Sequence, residues 1–542
     1  MPELIHRLFG EDSGFLNIVA DQWAVELPPA RSRDRLPQLV SRLLDRDLFL
    51  EIVQSLPQEA KAALTALKRR NGSMPWLIFT RQFGELRIMG PGKRERLKPY
   101  LQPVSACETL WYRALIGRDF LEVDGNIIEC AYIPGEFLAW LPTPPPALQL
   151  SLGERVSLED NAIIHPATDA ILDMSCTLLA SLRLAQPNAI RDLAQWQPSL
   201  KELMALMHDL KMIDSQQLPN QDVARPFLSS TRSEALHFLA QGWLKSKNYN
   251  DLALVPSISL DAKIKNDPLL PRQALLDWLK RIPGGEWWSI DALVRAFHAQ
   301  QPDFLRPDGN YDSWMVRSSL TEEPLQGFSA WYAVEGALLR YLLVGPLHWL
   351  GYLDLAGMPY DEKPVAFRLS AWFNDLAAGK VPDLGEEIGE PIVVNSGGTL
   401  SMTNRTPRFA RYMLSRFCTW EGAPAGVYAY RLTPASLKAA REQGLTASHL
   451  VSLLRRYAKS DLPPSLIKAI NRWDEVGGEV RAERVSMLRV SRAEILEELR
   501  NSPAARFLGE PLGPLTVIVP EDALEKVMAA LARMGYLSDV NF

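Results

Sequence analysis

Cysteine is scarce in this chain. Cys107, Cys130, Cys176 and Cys418 are its four copies in 542 residues, far apart and never at the C-x-x-C spacing. That excludes a disulfide framework and a zinc knuckle, and leaves reduced, buried thiols as the reading. Histidine is sparse too: His6, His165, His208, His237, His298, His348 and His449 include no His-x-x-x-His pair, so they read as packed or solvated side chains rather than metal ligands. A phosphate-binding loop is also missing. Gly90-Pro91-Gly92-Lys93 comes nearest, but Arg87 stands where the first glycine belongs and Arg94 where Ser or Thr is required. No Gly-x-Ser-x-Gly elbow occurs. Long apolar runs are lacking as well. The stretch MPELIHRLFGEDSGF has no signal-peptide core, and the apolar run 336–358 is interrupted by Arg340, His348, Asp354 and the Gly345-Pro346 break. The expectation is a cytoplasmic, non-membrane protein with no cofactor, no metal and no catalytic residue.

What is present is an ordinary globular balance of 47% hydrophobic and 23% charged residues. At this length, about three or four domains are expected. The formal charge of -5 excludes a protein that coats nucleic acid over its whole surface, so any DNA contact must be local.

Helical periodicity over 36–44, 48–56 and 57–68, then 74–83 and 107–115, is followed by strand patterns at 120–123 and 127–132 around Asp124-Gly125. Helices closed by a hairpin read as a winged-helix-like module over 1–141. Pro142-Thr143-Pro144-Pro145-Pro146 keeps the chain extended and marks a linker. A helical domain is expected over 147–265. Residues 266–382 repeat the helix-then-hairpin order and carry Trp278, Trp287, Trp288, Trp314, Trp331, Trp349 and Trp372, which read as an aromatic core rather than base-stacking platforms. A last domain, 391–542, alternates helices and strands.

That last domain holds the most one-sided basic segment. From Pro391 to Trp420 there is no Asp or Glu, and the pattern predicts a helix over 407–418. At 100° per residue, Phe409, Met413, Leu414 and Phe417 share one face, and Arg408, Arg411, Tyr412 and Arg416 the other, with Arg405 just before. Phosphate contact requires such cations, so Arg405, Arg408, Arg411 and Arg416 are candidate DNA-binding residues. Arg455, Arg456 and Lys459 extend the set, although the same residues also suit a helix C-terminus.

The stretch 427–457 reads as strand, helix, glycine turn, helix: Thr433 caps, Pro434 takes the first helical position, Gly444 makes the exit, and Leu450, Leu453, Leu454 and Tyr457 form the apolar stripe. With Tyr430, Leu432-Thr433-Pro434-Ala435-Ser436-Leu437, Ala440, Gly444-Leu445-Thr446, Leu462-Pro463, Gly477-Gly478 and Leu488-Arg489-Val490, this region resembles the XPB-type helicase N-terminal domain, also called a helicase-associated domain. The resemblance runs from about Pro391 to the C-terminus. It implies a domain that sits beside a DNA-unwinding motor and contacts DNA or steers that motor. The motor itself is not expected here, because neither Asp361-Glu362 nor Asp474-Glu475 continues as a helicase Asp-Glu box.

The expected fold is therefore multidomain α+β and mostly α-helical, with winged-helix-like modules followed by a C-terminal α/β domain resembling the XPB helicase N-terminal domain. The expected function is a non-catalytic, helicase-associated accessory in DNA repair or processing. Its partners would be duplex or forked DNA, bound without sequence preference, and a separately encoded helicase or nuclease. A protein–protein scaffold and a winged-helix transcription regulator are the alternatives, since fold alone does not choose among them.

Overall fold

The computed structural model describes the chain except residues 28–31, 124, 144–150, 185–188, 190, 193–196, 359–362, 424–425, 477–485, 538 and 540–542, and the side chains of 32–34. The Asp124 turn residue, Pro144–Pro146 of the linker, Asp361-Glu362 and Gly477-Gly478 lie outside the described residues. The protein is a multidomain assembly of helices with small sheets. Its residues gather into two compact units. One comprises Met1–Val394, Thr399–Arg431 and Tyr457–Ser460, the other Asn395–Gly398, Leu432–Arg456 and Asp461–Phe542.

In the first unit, helix Gln58–Arg69 turns its Ala60, Ala63, Leu64 and Leu67 stripe inward. Strand Ser73–Pro75, helix Trp76–Phe83, helix Ala106–Trp111 and the hairpin Gly117–Val123/Asn126–Tyr132 follow. The strand order is first, third, second, and both ladders are antiparallel. Helical periodicity reads 74–83 as helical; Met74 and Pro75 instead pair with Ala131 and Cys130, and the helix starts after Pro75, which lacks an amide N–H and precedes rather than continues a helix.

The same order recurs in helix Leu269–Leu279, strand Trp288–Ser289, helix Ile290–Gln300, helix Trp331–Val344 and strands Leu353–Gly357 and Pro364–Leu369. Trp288–Ser289 pairs with the last strand, and Ile163–His165 adds an outer strand beside Leu353–Gly357. Trp243, Trp278, Trp288, Trp331 and Trp349 are buried in one continuous core, and Trp314 and Trp372 pack against it. The expected aromatic core is present with Trp243 added to it, but Trp287 is instead half-buried under the Arg368 guanidinium. Helices Leu200–Asp209 and Arg232–Lys245 both start with capping boxes, Ser199 with Glu202 and Thr231 with Glu234.

Contacts among the described residues join the repeated modules. Arg81 donates to both carboxylate oxygens of Asp303, at 2.6 and 2.8 Å, and lies over the Phe328 ring at 4.5 Å. Gly309, at φ +73°, passes so close to Ile78 that a Cβ there would sit 2.4 Å from its Cγ1. A four-stranded sheet completes this unit, in the order Val393–Val394, Thr399–Met402, Tyr428–Leu432, Cys418–Gly422.

The second unit contains helices Pro434–Glu442, Ala447–Tyr457 and Pro464–Val476, then strand Ser486–Arg489, helix Ala493–Arg500, strands Pro511–Gly513 and Thr516–Val519, and helix Leu524–Arg533. Thr433 forms the expected cap, accepting from Ser436 N, and Gly444 takes φ +75°. Val517 and Val519 are fully buried, as the pattern predicts for a covered strand, among Leu488, Ile495, Leu499 and Val527. The three strands pair antiparallel.

Candidate nucleic-acid interface

Helix Arg408–Ser415 starts after Pro407, as the sequence indicates, but it is buried on both faces: Leu414 and the following Phe417, from the expected inward side, are covered, and so are Arg408 and Arg411 from the other. Arg408 is 4% exposed and Arg411 0%, while Phe409 and Met413 are half-buried. Buried guanidinium groups are tolerable only when paired and hydrogen-bonded. Here they are. Arg411 Nη2 donates to the Asp173 carbonyl oxygen at 2.8 Å and to its Oδ1 at 3.1 Å, and Nη1 donates to Thr177 Oγ1 at 2.9 Å. Its guanidinium also lies 3.9 Å from the Tyr428 ring centroid. Asp173 Oδ2 accepts from Arg232 Nη2 at 2.7 Å, so one carboxylate serves two arginines. Burial disfavours the Arg411 charge, yet Cys176 and Asp173 outweigh it and hold its pKa above the ordinary value. Arg408 Nη2 donates to the carbonyl oxygens of Ser230, at 2.8 Å, and Phe227, at 3.2 Å; burial and the nearby Arg232 lower its pKa. The expectation of one outward arginine face is corrected: Arg408 and Arg411 tie helices together and present no surface to a phosphate.

Arg405 and Arg416 stand elsewhere. Arg405 has a 70% exposed side chain, 3.5 Å from Glu390, an acidic partner one residue before the segment free of carboxylates. Arg416 is half-buried, and burial followed by the neighbouring Arg183 lowers its pKa. The four arginines do not form one surface.

In the second unit, helix Ala447–Tyr457 has its expected orientation, with Leu450 and Leu454 buried. His449, Ser452, Arg455 and Arg456 are exposed. No Asp or Glu occurs from Gly444 to Ser460, so this outward face is uniformly basic in sequence. Lys459, in the short segment that belongs to the first unit, is exposed.

The third helices of the two repeated modules differ in exposure. Ala106, Cys107, Glu108, Thr109 and Leu110 are all buried, and Glu108 is held by Arg87 at 2.6 Å. Trp331–Val344 buries Trp331, Val334, Glu335, Leu338, Leu339, Leu342 and Leu343 and exposes Tyr332, Ala333 and Arg340, the last paired with Asp291. The hairpin of the first module exposes Phe120 and Ile127 beside Asp119 and Glu122. Among the described residues, no group of three or more His, Cys, Asp or Glu side chains is placed to hold a metal ion, and no helix is long and apolar enough to cross a membrane.

Sequence reasoning missed the buried ion pairs: Arg272 with Asp251, Arg306 with Glu335, and Arg411 with Asp173. The one available signal was an Arg or Asp at an apolar-face position of a helix, as Arg272 is within Leu269–Leu279.

Comparison with known proteins finds a family match in the C-terminal part and a partial match to one helicase. Residues 392–510 match the family described as "Helicase conserved C-terminal domain". The "DNA 3'-5' helicase XPB" of Mycobacterium tuberculosis is 29% identical over 153 residues, which cover 27% of this chain and 28% of that relative. The similarity is thus to helicase-related proteins, and the chain aligns with little more than a quarter of the relative's length.

Proposed function

We propose that this chain is a non-catalytic, DNA-associated accessory protein of the helicase-related type, acting in DNA repair or processing beside a separately encoded helicase or nuclease, in the cytoplasm. The observation that carries the reading is the basic outward face of helix Ala447–Tyr457, which lies within the helicase-matching residues 392–510. Arg455 and Arg456 bind phosphates there, and Arg405 and Lys459, which belong to the first unit, are separate candidates for sequence-independent phosphate contact. Two features favour an accessory over a motor. The sequence carries no phosphate loop, and the described ladders at 393–402, 399–431 and 486–519 are antiparallel, whereas nucleotide-binding α/β folds rest on parallel strands leading into glycine-rich turns.

The two repeated modules have the helix–strand–helix–helix–hairpin order of a winged helix. The third helix of the first is buried and acts as a packing unit, whereas Trp331–Val344 in the second keeps Tyr332, Ala333 and Arg340 exposed. A protein-docking role for the first hairpin is favoured by one observation: Phe120 and Ile127 are exposed among carboxylates, which repel phosphate and suit a basic, apolar protein surface.

The test is fluorescence-anisotropy binding to duplex, forked and single-stranded oligonucleotides at two salt concentrations, with an ATPase assay on the same sample. Salt-sensitive binding without ATP turnover is expected. DNA-stimulated ATP hydrolysis overturns the non-catalytic reading, and no binding to any oligonucleotide leaves the docking role in its place.

A further inference from the structure

Helices Trp76–Phe83 and Ala106–Trp111 of the first module are joined by a long insertion, residues 84–104, where helix–helix connections usually run about 2–8 residues. Its two arms are fastened together. Arg87 donates to both carboxylate oxygens of the buried Glu108, at 2.8 and 2.6 Å, and to the Gln102 carbonyl oxygen at 3.1 Å, and Val104 N donates to the same carboxylate at 2.9 Å. Arg94 is buried against Asp12 at 2.5 Å, and Leu101 N donates to the Lys98 carbonyl oxygen at 3.0 Å, closing a turn that folds Leu101 back toward Leu97. What this fixed loop presents is apolar. Ile88 is 83% exposed, and Leu97, Leu101 and Val104 are exposed with it. Aliphatic side chains held outward on an ordered scaffold mark a contact surface. Around them the exposed cations Lys93, Arg96 and Lys98 outnumber the exposed carboxylates Glu85 and Glu95.

The hairpin that follows the third helix carries the opposite charge. Its register sets Phe120 opposite Glu129 and Ile127 opposite Glu122, so these four share one face, apolar beside acidic on both strands. Phe120 is 65% and Ile127 78% exposed. Arg118, on the same face, pairs with Glu129 at 2.7 Å, whereas Glu122 makes no ion pair among the described residues.

We propose that the chain pairs with a second copy of itself through these two surfaces. The hairpin of one copy packs Phe120 and Ile127 against Ile88, Leu97, Leu101 and Val104 of the other, with Glu122 toward the other's Lys93, Arg96 and Lys98. Both surfaces belong to one module, one on each side of helix Ala106–Trp111 in the chain, so two copies exchange the contact in both directions and close as a two-fold dimer. Duplex DNA answers only the cations: aliphatic side chains offer no ring on which a base stacks, and Glu122 repels phosphate. An anionic membrane suits the insertion and opposes the hairpin. A second copy meets both at once, apolar against apolar and acidic against basic. The proposal rests on the docking role given above to the first hairpin and is independent of DNA binding by helix Ala447–Tyr457.

The experiment is sedimentation equilibrium of the full chain over about a hundredfold range of concentration, since dimerisation follows mass action. It is repeated with the double variants Phe120→Ser/Ile127→Ser and Leu97→Ser/Leu101→Ser. All four positions are exposed, so the fold should survive, as thermal unfolding curves will verify. A reversible dimer is expected for the wild type, with a dissociation constant raised at least about tenfold in each variant, as loss of central apolar side chains does. The reciprocal contact adds a result that an unspecific apolar patch does not give. An equimolar mixture of the two variants associates more tightly than either alone, because one intact hairpin then meets one intact insertion. A wild type that stays monomeric overturns the proposal and leaves the hairpin's docking role to another protein. A dimer that the hairpin variant leaves intact overturns both. A dimer that the insertion variant leaves intact, or a mixture no tighter than its components, overturns the hairpin-to-insertion contact.

Discussion

Arg411 and Asp173 lie 238 residues apart in the chain, yet one Nη2 of the arginine reaches both the carbonyl oxygen and the carboxylate of the aspartate. Their side chains are 0% and 3% exposed. The contact fixes helix Arg408–Ser415 against helix Ala170–Leu184 with its arginines inward. A segment that looks like a DNA-binding stripe in sequence is therefore a structural tie in the first unit.

Arg411→Gln should destabilise the protein by about 3 kcal/mol, because it leaves part of a buried charge network without its partner. Chemical denaturation measures it. Arg405→Gln, at an exposed position, should change stability by no more than about 0.5 kcal/mol. Equal small effects for both variants would show that the Arg411 pair contributes nothing.

Glu335 gives a pH dependence with a defined sign. Burial pushes its carboxyl from 4.5 up to about 7, against the pull of Arg306, whose Nε lies 2.8 Å away. In the unfolded chain the group releases its proton near its ordinary value, so between pH 4.5 and about 7 the folded state holds the extra proton. Stability from this group is therefore full below pH 4.5 and is lost as pH rises toward 7, by on the order of 3 kcal/mol. Unfolding curves at pH 5 and pH 7 should differ in that direction, and Glu335→Gln should flatten the difference even though it leaves Arg306 less well paired.

The four thiols are all free and buried. Burial pushes Cys107 up to about 12 and also raises Cys130, Cys176 and Cys418. Since the thiolate is the reactive form, a thiol reagent at neutral pH should label the native protein slowly and all four cysteines once denaturant is added. Rapid labelling of the native state would contradict the buried placement.

Local chemistry was legible in the sequence. Thr433-Pro434 and Gly444 bound a helix in the structure as their backbone preferences dictate, and the Leu450/Leu454 stripe faces inward. The order of helices and hairpins was readable for the same reason, because periodicity and turn residues act over a few positions. The facing of helix Arg408–Ser415 was not. Its arginines have no acidic neighbour in sequence, and the groups that satisfy them, Asp173, Thr177 and the carbonyl oxygens of Phe227 and Ser230, arrive only through tertiary folding.

The measurement that tests the central claim most directly is the salt dependence of duplex DNA binding by the double variant Arg455→Glu/Arg456→Glu. Both positions are exposed, so the fold should survive, as a thermal unfolding curve will verify. Weaker binding to every sequence is expected, with a log–log salt slope shallower by about 2, one unit for each phosphate that the variant no longer neutralises. Wild-type affinity and slope in the folded double variant would contradict it.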